Sequence, residues 1–98
     1  MEIKLITKQT MYRNLKNKKI CIVKLDTGCR TAIGLPVYGT FSGGLRGRQG
    51  GFSIKVSEHD RHDFYTDRET KYGQSSDKRL YIVYRRSIGV SYGLRIID

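Results

Sequence analysis

From residue 88 onward, apolar and polar positions alternate: Ile88, Val90, Tyr92, Leu94 and Ile96 fall against Gly89, Ser91, Gly93 and Arg95. Only a period of two places those five on one face, which predicts a half-buried β-strand. Phe52, Ile54 and Val56 alternate in the same way with Ser53, Lys55 and Ser57, and Ile3 and Leu5 alternate with Glu2 and Lys4. Residues 20–25 are apolar apart from Lys24, as in a strand buried on both faces. Residues 80–84 form a further apolar-aromatic run, with Arg85-Arg86-Ser87 at the turn that joins it to the last strand. Residues 30–41 are largely apolar but carry Gly34 and Pro36, which suits an edge strand or a sharply bent one.

One short helix is predicted between Thr7 and Lys16. Met11 and Leu15 are four apart and share a helical face, and Thr7 or Thr10 supplies an N-cap oxygen. The stretches 42–51 and 58–77 read as loops. Together these elements predict a mainly β, β-rich α+β fold: a small curved antiparallel sheet or partly closed barrel of five to six strands with one N-terminal helix. Curling a sheet in this way removes exposed strand edges. At 98 residues the chain is expected to form a single domain, 1–98, with one modest core and no second lobe around a large cofactor.

Charge sharpens this picture. Nineteen Lys and Arg stand against nine Asp and Glu, for a formal net charge of +10. The excess is uneven: residues 1–25 carry seven bases and one acid, whereas residues 58–77 carry three bases and six acids. A basic chain interrupted by one acidic stretch implies a binding side for a polyanion and a repelled side. The N-terminus has an acid at its second position and no apolar core segment, so no secretory signal is expected, and no apolar run approaches the length of a membrane span. Two cysteines, Cys21 and Cys29, are too few for a disulfide scaffold, which makes a reduced, cytoplasmic compartment the default expectation.

Several constellations could carry chemistry. The segment SGGLRGRQGG, residues 42–51, combines five glycines with Arg46 and Arg48. Glycine lets a backbone approach a phosphate chain, and the guanidinium fork matches phosphate oxygens. The segment lacks the Lys-Ser/Thr ending of a P-loop. A second basic group is Arg13, Lys16, Lys18, Lys19 and Lys24, with Tyr12 nearby; a third is Lys78-Arg79 with Tyr81 and Tyr84, then Arg85-Arg86 and Tyr92. Bases interleaved with aromatics suit nucleic acid, because cations hold phosphates while flat rings stack on unpaired bases.

His59 and His62, each followed by Asp, could provide the acid and base of a small endoribonuclease, although they lie in the acidic stretch. Cys21, Cys29, His59 and His62 do not have zinc-site spacing, so no metal and no cofactor is expected.

Leu25-Asp26-Thr27-Gly28 resembles the active-site triplet of retroviral-type aspartic proteases, the Gly-rich segment ending Gly50-Gly51-Phe52 is similar to their flap, and Ser87-Ile88-Gly89 resembles their later apolar-apolar-Gly element. That resemblance implies a homodimer in which two copies of Asp26 share a proton and activate a water. Lys24 and Cys29 depart from the family's pattern around the triplet, and Asp-Thr-Gly is also an ordinary hairpin turn. The run KKICIVKLDTG is similar to the opening of small SH3-like or Sm-like barrels, many of which bind RNA.

The expected function is therefore non-catalytic binding of nucleic acid, RNA ahead of DNA, mainly through phosphates. The contact residues would be Arg46, Arg48, Lys18, Lys19, Arg85, Arg86, Arg13 and Lys16. The alternatives are a protein-interaction module or inhibitor that docks on an acidic enzyme surface, and the two enzymes named above. No membrane partner is expected.

Overall fold

A computed structural model describes residues 2–25, 36–43 and 50–97. Among the described residues eight strands and one helix follow one another: β1 (Ile3–Ile6), α1 (Lys8–Leu15), β2 (Lys19–Lys24), β3 (Val37–Gly43), β4 (Gly51–Lys55), β5 (Arg61–Tyr65), β6 (Thr70–Ser75), β7 (Leu80–Arg85) and β8 (Val90–Ile96). All eight strands form one sheet in the order β1-β6-β7-β8-β2-β3-β4-β5, and its neighbouring strands run antiparallel. The β-rich class is as expected, and the sheet is open rather than closed into a barrel. Eight strands replace the expected five or six because the acidic stretch, read as a loop, folds into β5 and β6.

The helix forms where the pattern placed it. Thr7 is the N-cap, and its side-chain oxygen accepts from the Thr10 amide at 3.1 Å. Met11 and Leu15 are fully buried beneath it. Helix α1 ends as Asn17 turns into the left-handed region at φ 63°, a conformation that Asn tolerates better than most residues. The Asn17 amide then donates to the Phe41 carbonyl, and the Phe41 amide to Lys18, which ties the helix exit to β3.

Strong curvature follows from connectivity. Residues 66–69 join β5 to β6, six strand spacings away in the sheet. A flat sheet would hold those strands about 29 Å apart. The five Cα steps from Tyr65 to Thr70 reach at most about 18 Å. The sheet must therefore curl until β5 approaches β6. Phe64 on β5 accordingly meets Tyr92 on β8 edge-to-face, with ring centroids 5.4 Å apart, although three strands separate them.

The concave face and the helix share one core. Phe41, Phe52 and Phe64 stack in sequence with centroids 5.3 Å apart at each step, and Tyr12 of α1 meets Phe41 edge-on at 5.4 Å. Ile20, Ile22, Ile54, Tyr81, Val83, Val90 and Leu94 fill the remainder. Gly39 lets β3 and β4 approach closely: a Cβ there would lie 2.5 Å from the Lys55 carbonyl oxygen. At the far end, the β7–β8 turn contains Arg86, Ser87 and Ile88, and it closes with Gly89 at φ 65°.

Candidate nucleic-acid interface

Directly opposed residues on antiparallel strands share a face, so the register sorts each strand into core and outer positions. Phe41, Ile54 and His62 form one inward row across β3, β4 and β5. The next row, Lys19, Thr40, Lys55 and Arg61, therefore faces outward on β2 to β5. One step along the strands, a second outward row contains Leu80, Arg95, Cys21 and Tyr38 on β7, β8, β2 and β3. Four bases, Arg95, Lys19, Lys55 and Arg61, thus lie on the convex surface of β8 to β5, separated by Thr40 and Cys21. All four are exposed. From β8 to β5 the stripe spans four strand spacings, about 19 Å.

Neighbouring elements extend the basic surface at both ends. Arg79 precedes β7 and is held against the end of β8: its carbonyl accepts from the Ile96 amide at 2.8 Å, and its Nη2 donates to the Ile96 carbonyl at 3.0 Å. Lys78 stands beside it. Asp77 in the same turn accepts from Ser75 Oγ at 2.6 Å and from the Arg79 amide at 3.0 Å, and these hydrogen bonds hold its carboxyl below the ordinary value. On the other side, Arg13 and Lys16 of the helix exit line a shallow cleft of about 310 Å³ with Asn17, Ser42 and Gly43. That cleft shares Asn17 with a hollow of about 430 Å³ lined by Thr40, Lys55 and Ser57. Hydroxyls and cations around a concavity can together hold phosphate oxygens.

The outer surface also has an aromatic. Tyr38 is 59% exposed. It sits opposite Cys21, and the hydrogen bond between its hydroxyl and the Cys21 thiol raises its pKa.

The expected contact residues separate into three groups. Arg13, Lys16, Lys18 and Lys19 gather at the helix exit and the start of β2, beside the stripe. Arg46 and Arg48 lie outside the described residues. Arg85 and Arg86 lie at the opposite end of β8, about 20 Å from the Lys19 end. Arg85 has another task there: its half-buried guanidinium faces Asp67 at 3.5 Å. Asp67 also accepts from Ser87, and that bond, with others from Thr70 and the Glu69 amide, holds its carboxyl below its usual 3.8. This clamp fastens the β5–β6 connection to the β7–β8 turn. Arg86 remains exposed in that turn.

The expected aromatics separate as well. Tyr81 and Tyr92 are core residues, Tyr12 packs on Phe41 and Phe52, and Tyr84 is partly exposed on the outer face of β7.

Four surface residues that the local sequence did not single out complete the stripe. Lys55 and Arg95 occupy the polar positions of clear alternating strands, so their outward direction was readable even though their proximity was not. Arg61 lay within the acidic stretch, where it pairs with Asp63 at 3.3 Å. Tyr38 lay in a segment interrupted by Gly34 and Pro36.

The catalytic alternatives gain no assembled site among the described residues. His62 opposes Ile54 on the inward side of β5, with Nδ1 buried and without a hydrogen-bond partner, while His59 is exposed in the preceding turn. Asp26-Thr27-Gly28 and Cys29 lie outside the described residues. Among the described residues no group of three His, Cys, Asp or Glu side chains could hold a metal, and no helix is long and apolar enough to cross a membrane.

No family model, curated sequence or solved structure matches the chain.

Proposed function

We propose that the chain is a non-catalytic nucleic-acid-binding protein, with RNA ahead of DNA, that holds the phosphate backbone on the convex face of β8, β2, β3, β4 and β5. The observation that carries this reading is the outward alignment of Arg95, Lys19, Lys55 and Arg61, which local sequence keeps apart and strand register brings together. Lys16, Lys18 and Arg79 widen the same basic surface. Hydroxyls of Thr40 and Ser42 lie among these charges and can accept or donate to the sugar–phosphate chain. A reduced, cytoplasmic compartment is proposed with this function, in keeping with the half-buried Cys21 thiol.

Phosphate binding releases counterions, so affinity must fall steeply with salt. If six phosphates are neutralised, the log–log slope is about −4 on a single strand and about −5 on a duplex. Mobility shift across a salt series measures it. Salt-independent binding, or no shift at low salt, contradicts the proposal.

A second reading, a module that docks on an acidic protein, is favoured by the edge strand β1. Its outward residues Ile3 and Leu5 are 44% and 73% exposed, an apolar edge of the kind that accepts a partner strand. Pull-down after nuclease treatment separates the two readings: retention of a partner once nucleic acid is destroyed favours docking.

A further inference from the structure

We infer that the basic face takes a single strand in preference to a duplex, and that one unpaired base stacks on the exposed ring of Tyr38. This rests on the proposed function and specifies its ligand. Tyr38 ends the second outward row, beside the row that holds Lys19 and Lys55. Cys21 lies directly beside it, with Arg95 one strand further on. Thr40, two residues along β3, stands between Lys19 and Lys55 in the adjoining row. The neighbours on its own face are thus small, which leaves the ring accessible, while the next positions outward are cationic.

That arrangement matches the two surfaces of a single strand, whose phosphates seek cations and whose base faces are free to stack. A duplex offers phosphates but keeps its base faces stacked on one another, so the ring gains nothing from it. Nor can this surface read a groove, because its residues lie on a broad convex sheet rather than on a protruding helix or narrow ribbon. The expected recognition is sequence-tolerant, since every base has a face to stack.

The test uses the full chain, a twelve-nucleotide oligouridylate and a twelve-base-pair RNA duplex, titrated at several salt concentrations. The oligouridylate is expected to bind more tightly than the duplex. Tyr38→Ala should weaken binding to the single strand about tenfold, the effect of losing one base stack, and leave the duplex unchanged. Its log–log salt slope should stay the same, because no ion is displaced by the ring. Tyr38→Phe keeps the stacking face and should restore affinity. Lys19→Glu with Lys55→Glu should weaken both ligands and flatten the slope by about 0.7 per lysine on the single strand. In a Tyr38→Trp variant, the indole emission should be quenched as oligouridylate is added.

If Tyr38→Ala binds the single strand like the parent while the lysine reversals abolish binding, the stacking proposal is overturned and the phosphate-binding function stands. Equal affinity for strand and duplex overturns it too. Failure to bind either ligand overturns both readings. Circular dichroism of each variant separates these outcomes from unfolding; an exposed ring is not part of the core, so all of them should fold.

Discussion

The outer surface of the sheet has two halves built on the same alternation. On β2 to β5 the outward row is Lys19, Thr40, Lys55 and Arg61. On β1, β6, β7, β8 and β2 the corresponding row is Leu5, Gly73, Ile82, Gly93 and Val23. In this second half long side chains lie down over glycines: a Cβ on Gly73 would meet Ile3 Cγ2 at 2.5 Å, and one on Gly93 would meet Leu25 at 3.2 Å. The apolar half thus forms a thin second layer that partly covers itself. In the basic half Lys19, Lys55 and Arg61 are exposed, and Arg61 pairs with Asp63. One continuous sheet therefore carries a basic region and a weakly apolar region on its outer surface, with a shared concave core beneath both.

The most severe way to break the comparison is to remove that core. Phe52 is fully buried and lies between Phe41 and Phe64 in the aromatic stack. Phe52→Ala should cost about 3–5 kcal/mol in a denaturant titration, and both halves should lose their order together. Retention of cooperative unfolding at nearly the parent midpoint would show that the stack is not what joins them.

A sharper separation comes from charge. Lys19→Glu with Lys55→Glu should reduce nucleic-acid affinity at least about tenfold at low salt. Lys71→Glu, an exposed reversal on β6 opposite Tyr84, should have a much smaller effect, although it changes the net charge in the same direction. Equal losses from Lys71→Glu and from Lys55→Glu alone would mean that binding follows total charge and not the stripe.

The Asp67 clamp makes a pH-dependent prediction. Its carboxyl titrates below its ordinary 3.8 in the folded chain, chiefly through Ser87. Its contribution to stability is therefore complete above the unfolded value and is lost as pH falls through the lower folded value. Thermal melts between pH 5 and the acid limit should show a shallower acid loss for Asp67→Asn than for the parent, with affinity for nucleic acid nearly unchanged. Unaltered pH dependence in the variant would remove the clamp from the account.

The smallest effect is expected at Leu5. Its side chain is 73% exposed, so Leu5→Ser should change stability by no more than about 0.5 kcal/mol. It should also leave nucleic-acid binding intact, and selectively weaken any protein partner that docks on the β1 edge.

How much of this was legible in the chain depended on how local each interaction is. The helix could be read because its signals, Thr7, Met11 and Leu15, lie within one short segment. Val90, Tyr92 and Leu94 could be read because a strand with one buried face alternates strictly. Strands β5 and β6 could not, because their polar residues are satisfied from other strands: Ser53 donates to Asp63 at 2.8 Å, and Gln74 donates to the Tyr81 hydroxyl at 3.0 Å. Without those partners in view, a strand containing Asp63 or Gln74 looks like a solvated loop. The site shows the same division. Lys18 and Lys19 stand out as neighbours in sequence, whereas Arg95 and Lys55 join Lys19 only through sheet register. Arg85 looked like a ligand-binding base because nothing in its own segment announces Asp67.

The most direct test of the central claim is the salt dependence of RNA binding by the parent chain and by Lys19→Glu with Lys55→Glu, measured by mobility shift on one oligouridylate. The account predicts a log–log slope of about −4 for the parent and of about −2.8 for the variant, with lower affinity at every salt concentration. The same slope and the same affinity for both proteins would contradict it.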